Sequence, residues 1–170
     1  QYALTRNVRR LSVGEIAYSA ACHETGGMLD DGTLFRMGEQ AFRWICGDAY
    51  SGTWLRELAT RQGYQVSVRE STQQLHNLAI QGPHSRELLS QLVWNAETQP
   101  SVAQLGWFHF MIGRLGGADG VPLMVSRTGY TGELGFEVWC HPDHGERLWD
   151  AVWKAGQPYG CLLYTSPSPR

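Results

Sequence analysis

Lysine is almost missing from this chain: all but one of its 14 basic residues are arginine, the exception being Lys154. Charge of either sign is sparse, with 18% charged residues, a formal net charge of −2 and a pI near 6.3. That balance excludes the basic footprint of a nucleic-acid binder or an electrostatic membrane-surface binder. Long apolar runs are also absent; none approaches the ~18 residues of a spanning helix. No charged-then-apolar leader precedes the first strand-like segment. The four cysteines, Cys22, Cys46, Cys140 and Cys161, include no C-x-x-C pair. They read as thiols in a reducing compartment rather than a disulfide framework, which sets the expectation of a cytoplasmic protein.

What is present is an ordinary globular composition, 42% hydrophobic over 170 residues, enough for one large domain or two small ones. Both ends read as cuts. The last stretch, residues 161–170, changes character after Gly160 and is expected to be a non-native tail outside the fold.

Strand-like segments are expected at 11–21, 28–35, 42–46, 64–69, 75–81, 107–115, 121–126 and 134–140. Helices are expected at 51–62, closed by Gly63, at 83–92 behind Gly82-Pro83, and at 142–155. Strands come first, then one β-α-β passage, then a helix, three strands and a helix. This order predicts an α+β fold with mainly antiparallel sheets in two lobes. The second lobe is expected to hold a small three-stranded sheet flanked by helices, with lobes at 1–80 and 81–160.

The densest chemical signal is Ser126-Arg127-Thr128-Gly129-Tyr130-Thr131-Gly132-Glu133-Leu134-Gly135-Phe136-Glu137. Glycines at every third position allow the backbone to come close to a ligand, Tyr130 offers a stacking face, and Glu137 can accept two parallel N–H bonds. A Gly-rich connection with exposed Thr and Glu is the plain alternative. A second signal is Gly26-Gly27-Met28-Leu29-Asp30-Asp31-Gly32, with Tyr18 upstream. Neighbouring strand residues face opposite ways, so Asp30 and Asp31 cannot form a paired acid/base dyad, and a solvated turn is the alternative. The His141-Pro142-Asp143-His144 spacing lacks two further ligands, so no metal site is expected. Trp107, Phe108 and Phe110 read as core.

Taken in order, Tyr18, Gly26-Gly27-x-x-Asp30-Asp31, Leu78-Ala79-Ile80-Gln81-Gly82-Pro83 and the Ser126–Glu137 segment resemble the folate-binding aminomethyltransferase family. That family includes the aminomethyltransferase of the glycine cleavage system and tetrahydrofolate-dependent demethylases. The resemblance runs from about Leu11 to Gly160. It implies tetrahydrofolate as cofactor, Asp31 as the catalytic carboxylate by the reacting nitrogens, and Tyr18, Tyr130 and Glu137 around the pterin. Phe35 stands where some members have Tyr and is expected on the cofactor side.

The function so implied is a fragment of a one-carbon (aminomethyl or methyl) transferase, inactive as a fragment. Its partners would be a small-molecule one-carbon donor and a lipoyl carrier protein or a flavin domain. Two alternatives stay open: the folate module of a dimethylglycine- or sarcosine-type dehydrogenase, and a non-catalytic folate-binding protein of iron–sulfur assembly. The segment Ile45-Cys46-Gly47-Asp48-Ala49-Tyr50 departs from the Asn-rich stretch usual in glycine-cleavage members, which leaves the donor open.

Overall fold

The computed structural model of the chain describes residues 1–163. They form two compact units. The first comprises Gln1–Gln73 and Gly106–Phe110; the second comprises Gln74–Leu105 and the chain from Met111 onward. The strand at 76–81, expected to close the first lobe, belongs to the second.

In the first unit β1 (Ile16–Cys22), β2 (Met28–Arg36) and β3 (Phe42–Cys46) make an antiparallel sheet in sequential order. Helix α1 (Tyr50–Arg61) follows, and Gly63 continues past its end with φ of 67°, a left-handed conformation that costs glycine little. Trp54 and Leu58 lie one turn apart on α1 and pack with Ala21 in a small buried cluster. Ala21 and Asp30 are register partners, so both lie on the sheet face that meets α1. Gly32 sits opposite Cys46, and a Cβ there would lie 2.1 Å from the Ile45 carbonyl oxygen. Only glycine permits that approach between β2 and β3.

The segment 64–69, expected as a strand, is irregular, and Tyr64 and Val66 are exposed. Among the described residues no strand pairs with it, and alternation without a ladder leaves backbone groups to water. Trp107, expected in the core, is 72% exposed, and Phe108 is half-buried with φ of 54°; Phe110 alone of the three is buried.

The second unit carries a five-stranded sheet in the order β4-β8-β7-β6-β5, rather than the three strands expected. Its strands are β4 (His76–Gln81), β5 (Val93–Trp94), β6 (Phe110–Leu115), β7 (Val121–Ser126) and β8 (Gly135–Cys140). The two extra strands are β4, which adds beside β8, and the two-residue β5, which adds beside β6. Neither addition is local in sequence: β4 and β8 are paired across more than 50 residues, a contact that strand propensity does not encode.

Helices α2 (Ser85–Leu92) and α3 (Gly145–Gly156) bring Leu88, Leu89, Leu148 and Val152 into one core with Ile80, Val125, Phe136 and Val138. Phe136 and Val138 are fully buried. Strand alternation then sends Glu137 to the opposite face of β8. Past α3, the Cys161 amide bonds the Gly156 carbonyl (3.2 Å), while Leu162 and Leu163 are exposed. The remainder of the expected tail, from Tyr164, lies outside the described residues. The α+β class with antiparallel sheets holds in both units. Among the described residues no helix is long and apolar enough to cross a membrane.

Candidate functional site

Each unit carries one cluster of the sequence-nominated residues. In the first, β1 and β2 pair so that Ala20 faces Asp31 and Tyr18 faces Thr33. Side chains two apart along a strand share a face, so Tyr18 reaches Asp31 diagonally across the ladder. The Tyr18 hydroxyl donates to Asp31 Oδ2. Tyr18 remains 53% exposed, so this tyrosine–carboxylate pair is open to a ligand.

Asp30, one residue earlier, serves structure. Its Oδ2 accepts from the Asp48 amide (2.9 Å) and from the Ser51 hydroxyl (3.1 Å), and its Oδ1 from the Asp31 amide (2.8 Å). Ala49, at the N-cap position of α1, supplies no side-chain bond. Asp48 Oδ1 instead accepts the Tyr50 amide that opens α1 (2.7 Å). The Asp30 carboxylate from β2 holds Asp48 and Ser51 in place there, where it also meets the positive end of the helix dipole. Burial pushes the Asp30 carboxyl up, but the Asp48 and Asp31 amides and the Ser51 hydroxyl outweigh it, so the group ionises below its ordinary range. The Cys46 thiol beside it is pushed up, chiefly by burial.

Phe35 is corrected. It is 0% exposed, with its ring centroid 5.5 Å from that of Phe110. A side chain with no accessible surface is core and has no face to offer a cofactor.

In the second unit Glu137 lies opposite Ala79 on one side and Ser126 on the other. Asn77 Nδ2 donates to its Oε1 (3.2 Å), and the Thr128 hydroxyl donates to its Oε2. Thr128 and Ser126, both buried, share a hydrogen bond of 2.7 Å, and Trp139 Nε1 donates to Ser126 Oγ (3.4 Å). The carboxylate is thus oriented by a fixed polar row. Each oxygen still has acceptor capacity after one bond, so the carboxylate can take two parallel N–H donors. Tyr130 is 89% exposed on the loop between β7 and β8.

The glycines of that loop act differently from the sequence expectation. A Cβ on Gly129 or Gly135 would lie 2.3 Å or 1.8 Å from Gln81 Oε1. The space above both glycines is filled by a glutamine side chain rather than left for a ligand. Gln81, Asn77 and Thr128 were missed as site partners. Asn77 had a signal, since it alternates with Ala79 on the non-core face of β4; the reach of Gln81 had none.

His141 and His144 sit at a short helical turn, where His141 Nδ1 accepts from the Asp143 amide (3.3 Å) and the two rings are 6.3 Å apart. Among the described residues no three His, Cys, Asp or Glu side chains gather as a metal site. The clefts found in the first unit, of about 560 and 490 Å³, are lined by residues such as Tyr2, Arg36, Phe42 and Trp54 and include neither Tyr18 nor Asp31.

A trimethylamine-oxide aldolase of Ruegeria pomeroyi is 54% identical over 160 residues, covering 94% of this chain and 20% of that protein. An aminomethyltransferase of Desulfitobacterium hafniense is 32% identical, covering 94% of this chain and 42% of its own length. The gamma subunit of a heme-dependent oxidative N-demethylase of Ectopseudomonas mendocina is 34% identical, at 95% and 40%. The chain thus spans well under half of each. The crystal structure of the glycine cleavage system aminomethyltransferase T from Bartonella henselae shares the fold, with a TM-score of 0.64 over 88% of this chain and 38% of that one, at 24% identity. A family model, the GCVT N-terminal domain, matches residues 1–167. The chain belongs to the GCVT N-terminal domain family.

Proposed function

We propose that the chain is the folate-binding part of a larger enzyme that moves a one-carbon unit from a methylated amine onto tetrahydrofolate. The observation that carries this is the division of labour between neighbours: Asp30 is occupied at α1, while Asp31 stands on the open face with the Tyr18 hydroxyl on it. Tetrahydrofolate, when bound, supplies the nitrogens that accept the one-carbon unit. In the second unit, taken by itself, Glu137 would hold a pterin edge with an oriented carboxylate and Tyr130 would lie along the ring; in the first, Asp31 would stabilise cationic character near a reacting nitrogen. The Tyr18 hydroxyl would keep the Asp31 carboxylate turned toward that position.

The donor class rests on the relatives. One is named for trimethylamine oxide and another for N-demethylation, and this chain matches only a fifth of the first. An aldolase cleavage of trimethylamine oxide balances as dimethylamine plus formaldehyde, and formaldehyde is a one-carbon unit that tetrahydrofolate nitrogens capture. This favours a folate module acting on a carbon released by another part of the protein.

The test uses the full-length protein. Tetrahydrofolate affinity and single-turnover formation of the one-carbon folate are measured for wild type and Asp31→Asn. Binding within a few fold of wild type with transfer slowed about 10²-fold or more is the expected outcome. Equal single-turnover rates would remove Asp31 from the chemistry, and absence of tetrahydrofolate binding in wild type would remove the reading itself.

A further inference from the structure

We propose that Gln81 is the positioning residue of the 127–134 loop, its side-chain amide fixing the backbone that carries Tyr130 and the Thr128 hydroxyl on Glu137. The consequence for folate rests on the functional reading above; the effect on the loop does not.

Gln81 ends β4 and is the register partner of Gly135. Its Nε2 donates to the Phe136 carbonyl (3.0 Å) and to the Thr128 carbonyl (3.4 Å), and its Oε1 accepts from the Thr131 hydroxyl (3.2 Å). One amide therefore ties β8, the start of the loop and its middle. The next residues hold the far end: the Gly82 amide and the Ser85 hydroxyl both donate to the Leu134 carbonyl, at 2.7 and 3.2 Å. The corner between β4 and α2 grips the loop at both ends.

The chemistry calls for glutamine. Its neighbours are two carbonyls and a hydroxyl, so the position needs two N–H donors and an acceptor on one planar group. Glutamate would turn an anionic oxygen toward two carbonyl oxygens, and methionine would match the length with no donor and only a weak sulfur acceptor. The glycines complete the design. Without side chains at 129 and 135 the amide lies flat against the backbone, and any Cβ at either position would meet it well inside contact distance. Gly135→Ala would therefore expel the amide and should reproduce the loss of Gln81.

The experiment follows the full-length protein by hydrogen exchange over 128–134 and by tetrahydrofolate affinity. Gln81→Met should raise exchange of those amides about tenfold, as loss of roughly one net hydrogen bond does, while β7 and β8 amides stay protected. Affinity for tetrahydrofolate should fall by a similar factor. Gly135→Ala should match Gln81→Met in both readouts, and should add little when introduced into Gln81→Met. For Gln81→Glu, the affinity ratio to wild type should worsen on going from about pH 4 to about pH 7, as the new carboxyl ionises. This comparison is made within one folded protein, so a merely destabilised variant would not show it. Loop exchange equal to wild type in Gln81→Met, or a pH-independent ratio in Gln81→Glu, overturns the proposal. Should wild type fail to bind tetrahydrofolate, the functional reading falls, and the exchange result still decides the role of Gln81.

Discussion

Asp30 and Asp31 are consecutive residues whose carboxylates leave β2 on opposite faces: Asp30 accepts the Asp48 amide and Ser51 hydroxyl at the start of α1, and Asp31 accepts the hydroxyl of Tyr18. The same acidic pair thus contains an anchor and an available carboxylate. Period-two geometry enforces the separation.

Asp30→Ala should lower stability by about 1–2 kcal/mol, the range for losing a charged acceptor that holds the Asp48 amide and the Ser51 hydroxyl. Urea denaturation of the two proteins checks it, with a lower midpoint and an unchanged slope as the expected result. A midpoint equal to wild type would mean that Asp30 does not secure α1.

The pH dependence of that contribution has a defined sign. The folded-state pKa of Asp30 is depressed, so its stabilisation is fully present above the unfolded value of about 3.9 and is lost as pH falls through the folded pKa. The midpoint difference between wild type and Asp30→Asn should be widest near neutral pH and shrink below about pH 4. A difference that grows on acidification would contradict the assignment.

Glu137→Ala should weaken tetrahydrofolate binding by roughly 1.5–3 kcal/mol, about one to two decades in Kd. Thr128→Val keeps the charge but removes the donor that orients it, so about 0.5–1.5 kcal/mol of affinity should be lost, one neutral-scale hydrogen bond. Isothermal titration of both variants ranks them, and a Thr128→Val loss as large as that of Glu137→Ala would show that orientation rather than charge dominates.

Phe35→Ala should cost about 3–5 kcal/mol through the cavity it leaves beside Phe110. Folate affinity of the protein that stays folded should match wild type, since the ring has no exposed face. Thermal unfolding and ligand titration on the same sample separate the two effects; intact stability with lost affinity would restore Phe35 to the ligand side.

Much of the fold is written locally in the chain. The β7–β8 region is one case: Phe136 and Val138 are apolar and Glu137 is polar, so alternation alone assigns the inner and outer faces. Helix α1 is another, since Trp54 and Leu58 lie one turn apart and Gly63 can take the left-handed conformation that follows it. Asp30 and Asp31 were separable for the same reason. These are properties of neighbours, and backbone periodicity converts sequence spacing directly into direction.

The rest was decided by distant pairing. The addition of β4 to β8 is what makes the second sheet five-stranded and places Asn77 and Gln81 beside Glu137 and its loop, 47 to 60 residues away. The segment 64–69 alternates as a strand should, yet among the described residues no strand pairs with it to complete a ladder, so it stays irregular. Phe35 and Trp107 exchange their expected roles, the first fully buried and the second exposed, because burial depends on what packs opposite rather than on residue type. The residue types that can offer a carboxylate, a hydroxyl or a stacking face were legible in the sequence. Which of them is core, which is anchor and which is left facing solvent was set only when long-range strand pairing fixed each side chain's neighbours.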